Sequence, residues 1–410
     1  MRWLPTLFAA EAIPSAMITF VALLMFVQLG VGWGMSTLLC GLLTLPWVLK
    51  ALARQRVQRI GCFWPVLCAL EAAIFGLLVA LAFSFGGGQA ATYRVFAVLF
   101  MTCLLCTWHE LAAGSYFERM LSPREQRYYH SLRTAASQSS TIVTYGLMLM
   151  AVGTLEVFYH NRSQAIALSW STAVYLLAGF YLLLLCLNLF WLRKPAERCG
   201  CQTGDGDVQG ESGRTVSRAS VVTILCLFLL LLPQSLLFHT RVLFLIAPIA
   251  DGGLGCSLQW IALAQGTVGV IAFSAGLGLG HRLERKSRLF SRLSTAHVTL
   301  VLSPFVYWCM TQWPPQSLAM LCVATFVAQG TFGFGLNACS PYVRALSGDR
   351  YRNTLNYLYI PLVALVMLVP LSLSGWLLSH TGFRLFFALD AFTALPALAA
   401  GYWGWGRVKA

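Results

Sequence analysis

Apolar positions in this chain do not recur with a helical or strand period; they run on without interruption. Leu225–Leu232 is eight apolar residues in a row. A helix needs about 20 mostly apolar residues to cross the hydrocarbon of a bilayer. Twelve runs meet that length, at 5–29, 35–53, 62–85, 93–114, 132–155, 168–192, 219–245, 257–280, 292–311, 317–341, 354–378 and 384–406. Spans of a membrane β-barrel would instead alternate over about ten residues. The pattern predicts an all-α membrane protein with 12 transmembrane helices.

Polar punctuation organises these runs. The longest non-apolar stretch, Arg193–Ala219, carries Gly200, Gly204, Gly206, Gly210 and Gly213 among charged residues, the composition of a flexible linker. It divides the chain into a six-helix bundle at 1–192, a linker at 193–218 and a second six-helix bundle at 219–410. The halves echo one another. Leu29-Gly30 precedes the polar-tinged start of the second run, and Leu254-Gly255 precedes Ser257-Leu258-Gln259. Basic loops at 54–61 and 281–292 stand six helices apart. Two parallel halves joined by a central loop is the layout of major facilitator transporters.

Composition sharpens the class. Hydrophobic residues make up 58% of the 410 and charged residues 10%, against about 25% charged in a soluble domain. Such a chain cannot cover itself with polar surface, and it is too apolar to be disordered. The formal charge of +14 would suggest nucleic acid in a soluble protein. Here the basic residues sit in short loops, so no nucleic-acid partner is expected. Counted by side, all but Arg94, Arg162, Arg241 and Arg384 of the 28 Lys and Arg fall on one face. The positive-inside rule then predicts both termini in the cytoplasm. Most of the 13 cysteines lie within apolar runs, where Cys behaves as a small hydrophobe. No paired CxxC spacing appears, so no metal site is expected, and no cofactor either. The first apolar run is too long for a cleavable signal peptide. The absence of a phosphate-binding glycine loop argues against an ATP-driven pump.

An ionisable side chain in hydrocarbon costs about 2.5–3.5 kcal/mol on insertion scales, so it persists only when paired, wetted or functional. Glu110 is the first choice as a proton carrier, in the step Thr107-Trp108-His109-Glu110 ahead of Ala112, Ala113 and Gly114. The other reading pairs it with an Arg of the 119–133 loop. His109 titrates near neutral pH and points about 100° away from Glu110, so only one of them need face a cavity. Glu11, just before Pro14, lines the cavity or snorkels to the interface. Glu71 and Asp390 read as structural hydrogen-bonding groups, the latter capping or pairing with Arg384. Gln234, His239 and Arg241 lie on helix 7. Arg suits a carboxylate in a planar fork, unless Arg241 merely ends the span at the external interface. Asn356 and Tyr357 open helix 11 with Asn353 and could hydrogen-bond a polar solute. Gly266, Gly269, Gly276, Gly278 and Gly280 on helix 8, with Gly330, Gly333 and Gly335 on helix 10, permit close helix approach.

Three stretches carry a family resemblance. They are Glu11-Ala12-Ile13-Pro14 through Leu29-Gly30 with Leu45-Pro46-Trp47-Val48-Leu49-Lys50; Thr107 through Tyr116; and Ser374-Gly375-Trp376-Leu377 with Gly382-Phe383-Arg384-Leu385-Phe386-Phe387. Together they resemble the muropeptide permease (AmpG-type) branch of the major facilitator superfamily, which neighbours the acetyl-CoA transporters. That resemblance implies proton-coupled import of cell-wall fragments, anhydro-muramyl sugars with attached peptides, across the bacterial inner membrane. By position it places the family's helix-4 acid on Glu110 and its helix-1 polar site on Glu11. Two departures stand out. Gly114 or Ser115 replaces a second helix-4 acid, and Ala53-Arg54-Gln55-Arg56 lacks the Asp of the superfamily's loop motif.

The expectation is a monomeric secondary transporter in the major facilitator fold, not an enzyme, with protons, a muropeptide-like small molecule and the lipid bilayer as partners. Its proton-coupling residues are Glu110, His109 and Glu11. Its substrate contacts are Glu11, Gln234, His239, Arg241, Asn356 and Tyr357. A carrier of another solute, such as an acyl-CoA or a drug, and a non-transporting sensor or scaffold are the alternatives.

Overall fold

The computed structural model describes residues 3–50, 57, 62–86, 88, 90–192, 218–284, 289–336, 363–393, 395–396 and 399. Among them the helices are α1 (Trp3–Gln28), α2 (Trp33–Val48), α3 (Phe63–Phe83), α4 (Ala90–Met120), α5 (Pro123–Phe158) and α6 (Ala165–Trp191). They continue as α7 (Arg218–Ile246), α8 (Leu258–Arg282), α9 (Leu289–Gln312), α10 (Leu318–Leu336) and α11 (Val363–Thr393). Nine helices among the described residues are long and apolar enough to cross a membrane, so this is a multi-pass membrane protein. The linker 193–217, Asn353, Asn356 and Tyr357 lie outside the described residues.

Helix ends depart from the apolar runs where local capping, not hydropathy, sets them. α5 begins nine residues before its apolar run. Ser122 and Glu125 form a reciprocal capping box and Pro123 fills the first turn, so a polar, amphipathic stretch folds as helix ahead of the span. α2 breaks at Thr44, just before Leu45-Pro46. The predicted helices 11 and 12 meet at Gly382. Its φ of 70° is a left-handed conformation that interrupts α11 there.

α1, α5 and α8 each contain a π-helical stretch, at Met17–Val21, Ile142–Met148 and Ala262–Gly269. A π turn admits an extra residue and re-aims the side chains around it. In this fold those stretches carry Phe20, Tyr145 and Gln265, which face the space between the two sets of helices.

Helices α1–α6 pack on one another and α7–α10 do likewise, with Phe383 and Phe387 of α11 packed on Phe244 of α7 and Tyr307 of α9. Glycine sets how close the helices come. In the second set a Cβ on Gly276 would collide with the Gly330 carbonyl, and one on Gly333 with the Phe273 carbonyl, so α8 and α10 touch backbone to backbone. The two sets meet along a seam with two lines of contact. On one, Gly266 of α8 lies against the Tyr145 carbonyl of α5. On the other, Gly375 of α11 lies against α2, where the Thr37 hydroxyl donates to the Ser372 carbonyl (3.2 Å) and accepts from the Gly375 N–H (3.2 Å).

Candidate functional site

The α1–α6 half concentrates its charges in two clusters. In the first, Glu110 of α4 is the acceptor for three donors. Its Oε1 takes the Ser15 hydroxyl and the Trp47 indole N–H, both at 3.2 Å, and its Oε2 pairs with the Lys50 ammonium. Glu11 lies beside it, with Oε1 3.9 Å from Arg133 Nη2 and with Oε2 buried and unpartnered. Arg133 also stacks its guanidinium 4.2 Å from the Phe8 ring centroid. Two acids and two bases from α1, the segment just after α2, α4 and α5 thus form a balanced, partly buried array. The sequence offers Glu110 an Arg of the 119–133 segment. The structure gives that Arg to Glu11 and gives Glu110 to Lys50. Lys50 and Trp47 come from the family-like Leu-Pro-Trp stretch, to which the sequence attaches no role; their short spacing at the end of α2 is the available signal.

The second cluster is sealed inside the half. His109 Nε2 and Asn188 Nδ2 both approach Glu71 Oε1, at 3.2 and 2.8 Å. All three residues are fully buried. His109 therefore turns away from Glu110 into the core, as the 100° step between neighbours requires. Glu71 has the structural hydrogen-bonding place the sequence suggests.

The α7–α11 half is arranged differently. Arg241 is 5% exposed, so it does not end the span at an interface; α7 continues to Ile246. Its guanidinium carbon lies 5.0 Å over the Phe238 ring. It has no ion-pair or hydrogen-bond partner among the described residues, and its buried Nε is unsatisfied. Beneath it runs an amide ladder to which the sequence gives no clue. Gln329 donates to Gln265 Oε1 (3.3 Å), and Gln265 donates to the Tyr307 hydroxyl (2.8 Å) and to Thr325 (3.4 Å). Asp390 is buried with Oδ2 unpartnered, and among the described residues Thr393, not Arg384, reaches its Oδ1, at 3.5 Å.

Between the halves lies a cavity of about 270 Å³, lined from one side by Thr19, Phe20 and Tyr145 and from the other by Phe238, Arg241 and Gln265. Among the predicted substrate contacts, Arg241 lines it. Gln234 is turned the other way, donating to the Leu300 carbonyl of α9 at 2.7 Å. His239 is buried beside Phe238, edge to face with its ring at 5.2 Å, and does not line the cavity. Glu11 and Glu110 belong to the array described above and do not line it either. Gln265, Gln329, Tyr145 and Phe20 carry no signal in an apolar run; only the packing of the two halves brings them together.

No family model and no curated protein matches the sequence. Solved structures do match in shape. A bacterial homolog of the human lysosomal transporter Spinster, inward-facing and occupied, aligns over 98% of this chain and 95% of its own, with a TM-score of 0.69 and 13% identity. A POT family transporter in complex with a thioalcohol-conjugated peptide gives 0.70 at 11% identity over 97% and 94% of the two chains. A point mutant of the nucleoside transporter NupG gives 0.68 at 11% identity over 99% and 98%. At these identities the likeness speaks to architecture. It agrees with the nine apolar helices, the two packed halves and the cavity at their seam: the chain has the all-α membrane architecture of the major facilitator fold.

Proposed function

We propose that this protein is a secondary active transporter that carries a carboxylate-bearing small molecule through the cavity at the seam, coupled to protons. The observation that carries the reading is Arg241. A buried guanidinium with no ion-pair or hydrogen-bond partner among the described residues is costly, and it persists where a ligand completes it. Gln265 and Gln329 frame the same cavity, and the unpartnered Arg lies on the seam where the two halves must part and re-close. The titratable array stands on the opposing half. Protonation of Glu110 removes the charge that holds Lys50, and protonation of Glu11 does the same for Arg133, so loading either acid loosens ties between α1, the segment just after α2, α4 and α5. In this reading His109 acts from within the core through Glu71, next in sequence to the carrier acid.

The resemblance supplies the finer terms: import of muropeptides or related amino-sugar fragments, the bacterial inner membrane, cytoplasmic termini and a monomer. Muropeptides bear carboxylates, which suits Arg241. The described cavity is just below the range of drug-sized sites, so a whole disaccharide-peptide would need a wider state of the cycle. Asn356, Tyr357 and His239 remain contacts of that wider state.

The test is uptake of radiolabelled N-acetyl-anhydromuramyl peptide into proteoliposomes. The expected result is accumulation driven by an inward proton gradient, abolished by Glu110→Gln while counterflow exchange persists. Equal accumulation with the gradient collapsed would remove the coupling claim, and no uptake would remove the cargo.

A further inference from the structure

Arg241 is not the only orphan at the cavity. Tyr145 of α5 is 2% exposed, and its hydroxyl has no hydrogen-bond partner among the described residues. Its ring is held in place by stacking on Phe20, with centroids 5.2 Å apart and planes 14° from parallel. Tyr307 is already an acceptor for Gln265, so its oxygen is engaged. That leaves Tyr145 from one half and Arg241 from the other lining one cavity, with the Tyr145 O–H and the Arg241 Nε–H lacking an acceptor among the described residues.

The remaining walls narrow what could receive them. No Asp or Glu lines the cavity among the described residues, so nothing there would favour a cationic group. Both nitrogens and the Gln265 oxygen of the Gln265–Gln329 pair are engaged, by one another and by Tyr307 and Thr325. Aromatic pairs flank the donors: Phe20 with Phe238 at 5.8 Å across the seam, and Phe273 with Phe332 at 5.4 Å within the second half. Unsatisfied buried donors call for an acceptor, a charged one above all, and aromatic walls call for an apolar body.

We infer that Arg241 and Tyr145 form a carboxylate clamp spanning the seam, and that the cavity binds a compact organic monoanion with an apolar or aromatic flank. A planar carboxylate can take the Arg241 fork with one edge and the Tyr145 O–H with a remaining lone pair. Because the two donors belong to different halves, the bound anion ties the halves together at the seam. Phe20 and Phe238, whose rings meet across the seam, offer the apolar part a wall, and an amide or ester of the same shape would leave the guanidinium uncompensated. The inference rests on the transport reading for its purpose, but not on protons or on cell-wall fragments as cargo.

The probes are 3-phenylpropanoate and its neutral isostere 3-phenylpropanamide, titrated calorimetrically into the purified full-length protein in nanodiscs. The acid is expected to bind at least about tenfold tighter than the amide, the weight of a charge-assisted hydrogen bond. Arg241→Gln should erase that preference. Tyr145→Phe, which keeps the ring stacked on Phe20, should weaken the acid by about three- to tenfold, the weight of one hydrogen bond, and leave the amide unchanged. Thermal melting of each variant, expected at or above the parent value for Arg241→Gln, separates a lost site from a lost fold. Equal affinity for acid and amide, or no binding of either, overturns the clamp, as does a preference that survives Arg241→Gln. Proteoliposome flux of the same labelled acid separates the two readings. Selective binding without flux leaves the clamp standing and sinks transport. Flux that treats acid and amide alike sinks the clamp and leaves transport.

Discussion

The two halves handle buried charge in opposite ways. In the α1–α6 half every membrane-embedded charge of the two clusters finds a protein partner: Glu71 with His109 and Asn188, Glu110 with Lys50, Glu11 with Arg133. In the α7–α11 half the polar groups are mostly neutral amides and hydroxyls, and its charges Arg241 and Asp390 have no ion-pair partner among the described residues. Internal pairing makes the first half a self-contained charge store, whose state a proton can change without any ligand. In the second half Arg241 and Asp390 lack an ion-pair partner among the described residues, and it is there that the proposed transport reading puts the ligand.

The comparison can be broken first at the sealed cluster. Glu71→Ala leaves His109 and Asn188 buried without their acceptor, and should cost about 3–5 kcal/mol of stability, as removing one partner of a buried pair does. Reversible denaturation in mixed micelles measures it, and a loss under about 1 kcal/mol would show that the cluster is not what secures the first half. The seam gives the next largest effect. Gly266→Val places a side chain against the Tyr145 carbonyl. Overpacking of this kind costs about 1–3 kcal/mol and should fall on the closed arrangement of α5 and α8, not on folding. The expected reading is an unchanged melting point with a longer inter-half distance between spin labels on α5 and α8. Arg241→Met sharpens the contrast by sign. Removing an uncompensated buried charge should leave stability unchanged or raise it by up to about 2 kcal/mol, whereas every charge deletion in the first half lowers it. A clear drop in melting temperature would mean that Arg241 has a partner. The smallest effect belongs to Trp47→Phe, which deletes one of three donors to Glu110. It should cost about 1 kcal/mol in the same denaturation measurement and leave uptake in place.

How far the chain can be read in advance varies from residue to residue. Glu71 and His109 stand out because a charge in an apolar run is conspicuous, and the helical step between His109 and Glu110 already sets them on different faces. Their partners are not visible. Nothing in the order of residues tells that Lys50, 60 positions before Glu110, reaches it first, or that Arg133 goes to Glu11. Arg241 is legible as a carboxylate ligand by its type. Its rival place at an interface is excluded only by burial. Tyr145 and Gln265 are silent, because one Tyr or Gln in a span looks like any other. The start of α5 escapes for a local reason: Ser122 and Glu125 carry a capping signal that a search for apolar length passes over.

The sequence by itself determined that the chain crosses a membrane several times, the helical class and the short roster of groups able to hold a charge in lipid; against the twelve spans expected, nine helices among the described residues are long and apolar enough to cross. Each of those follows from a cost that a segment meets alone: hydrocarbon length, backbone hydrogen bonding and the desolvation of single side chains. Tertiary structure alone decided which acid meets which base, which way Gln234 and His239 turn, and that Tyr145 and Arg241, far apart in the chain, border one cavity. Those depend on how closely glycines let helices approach and on where π turns re-aim their neighbours, and both are settled only when the helices pack.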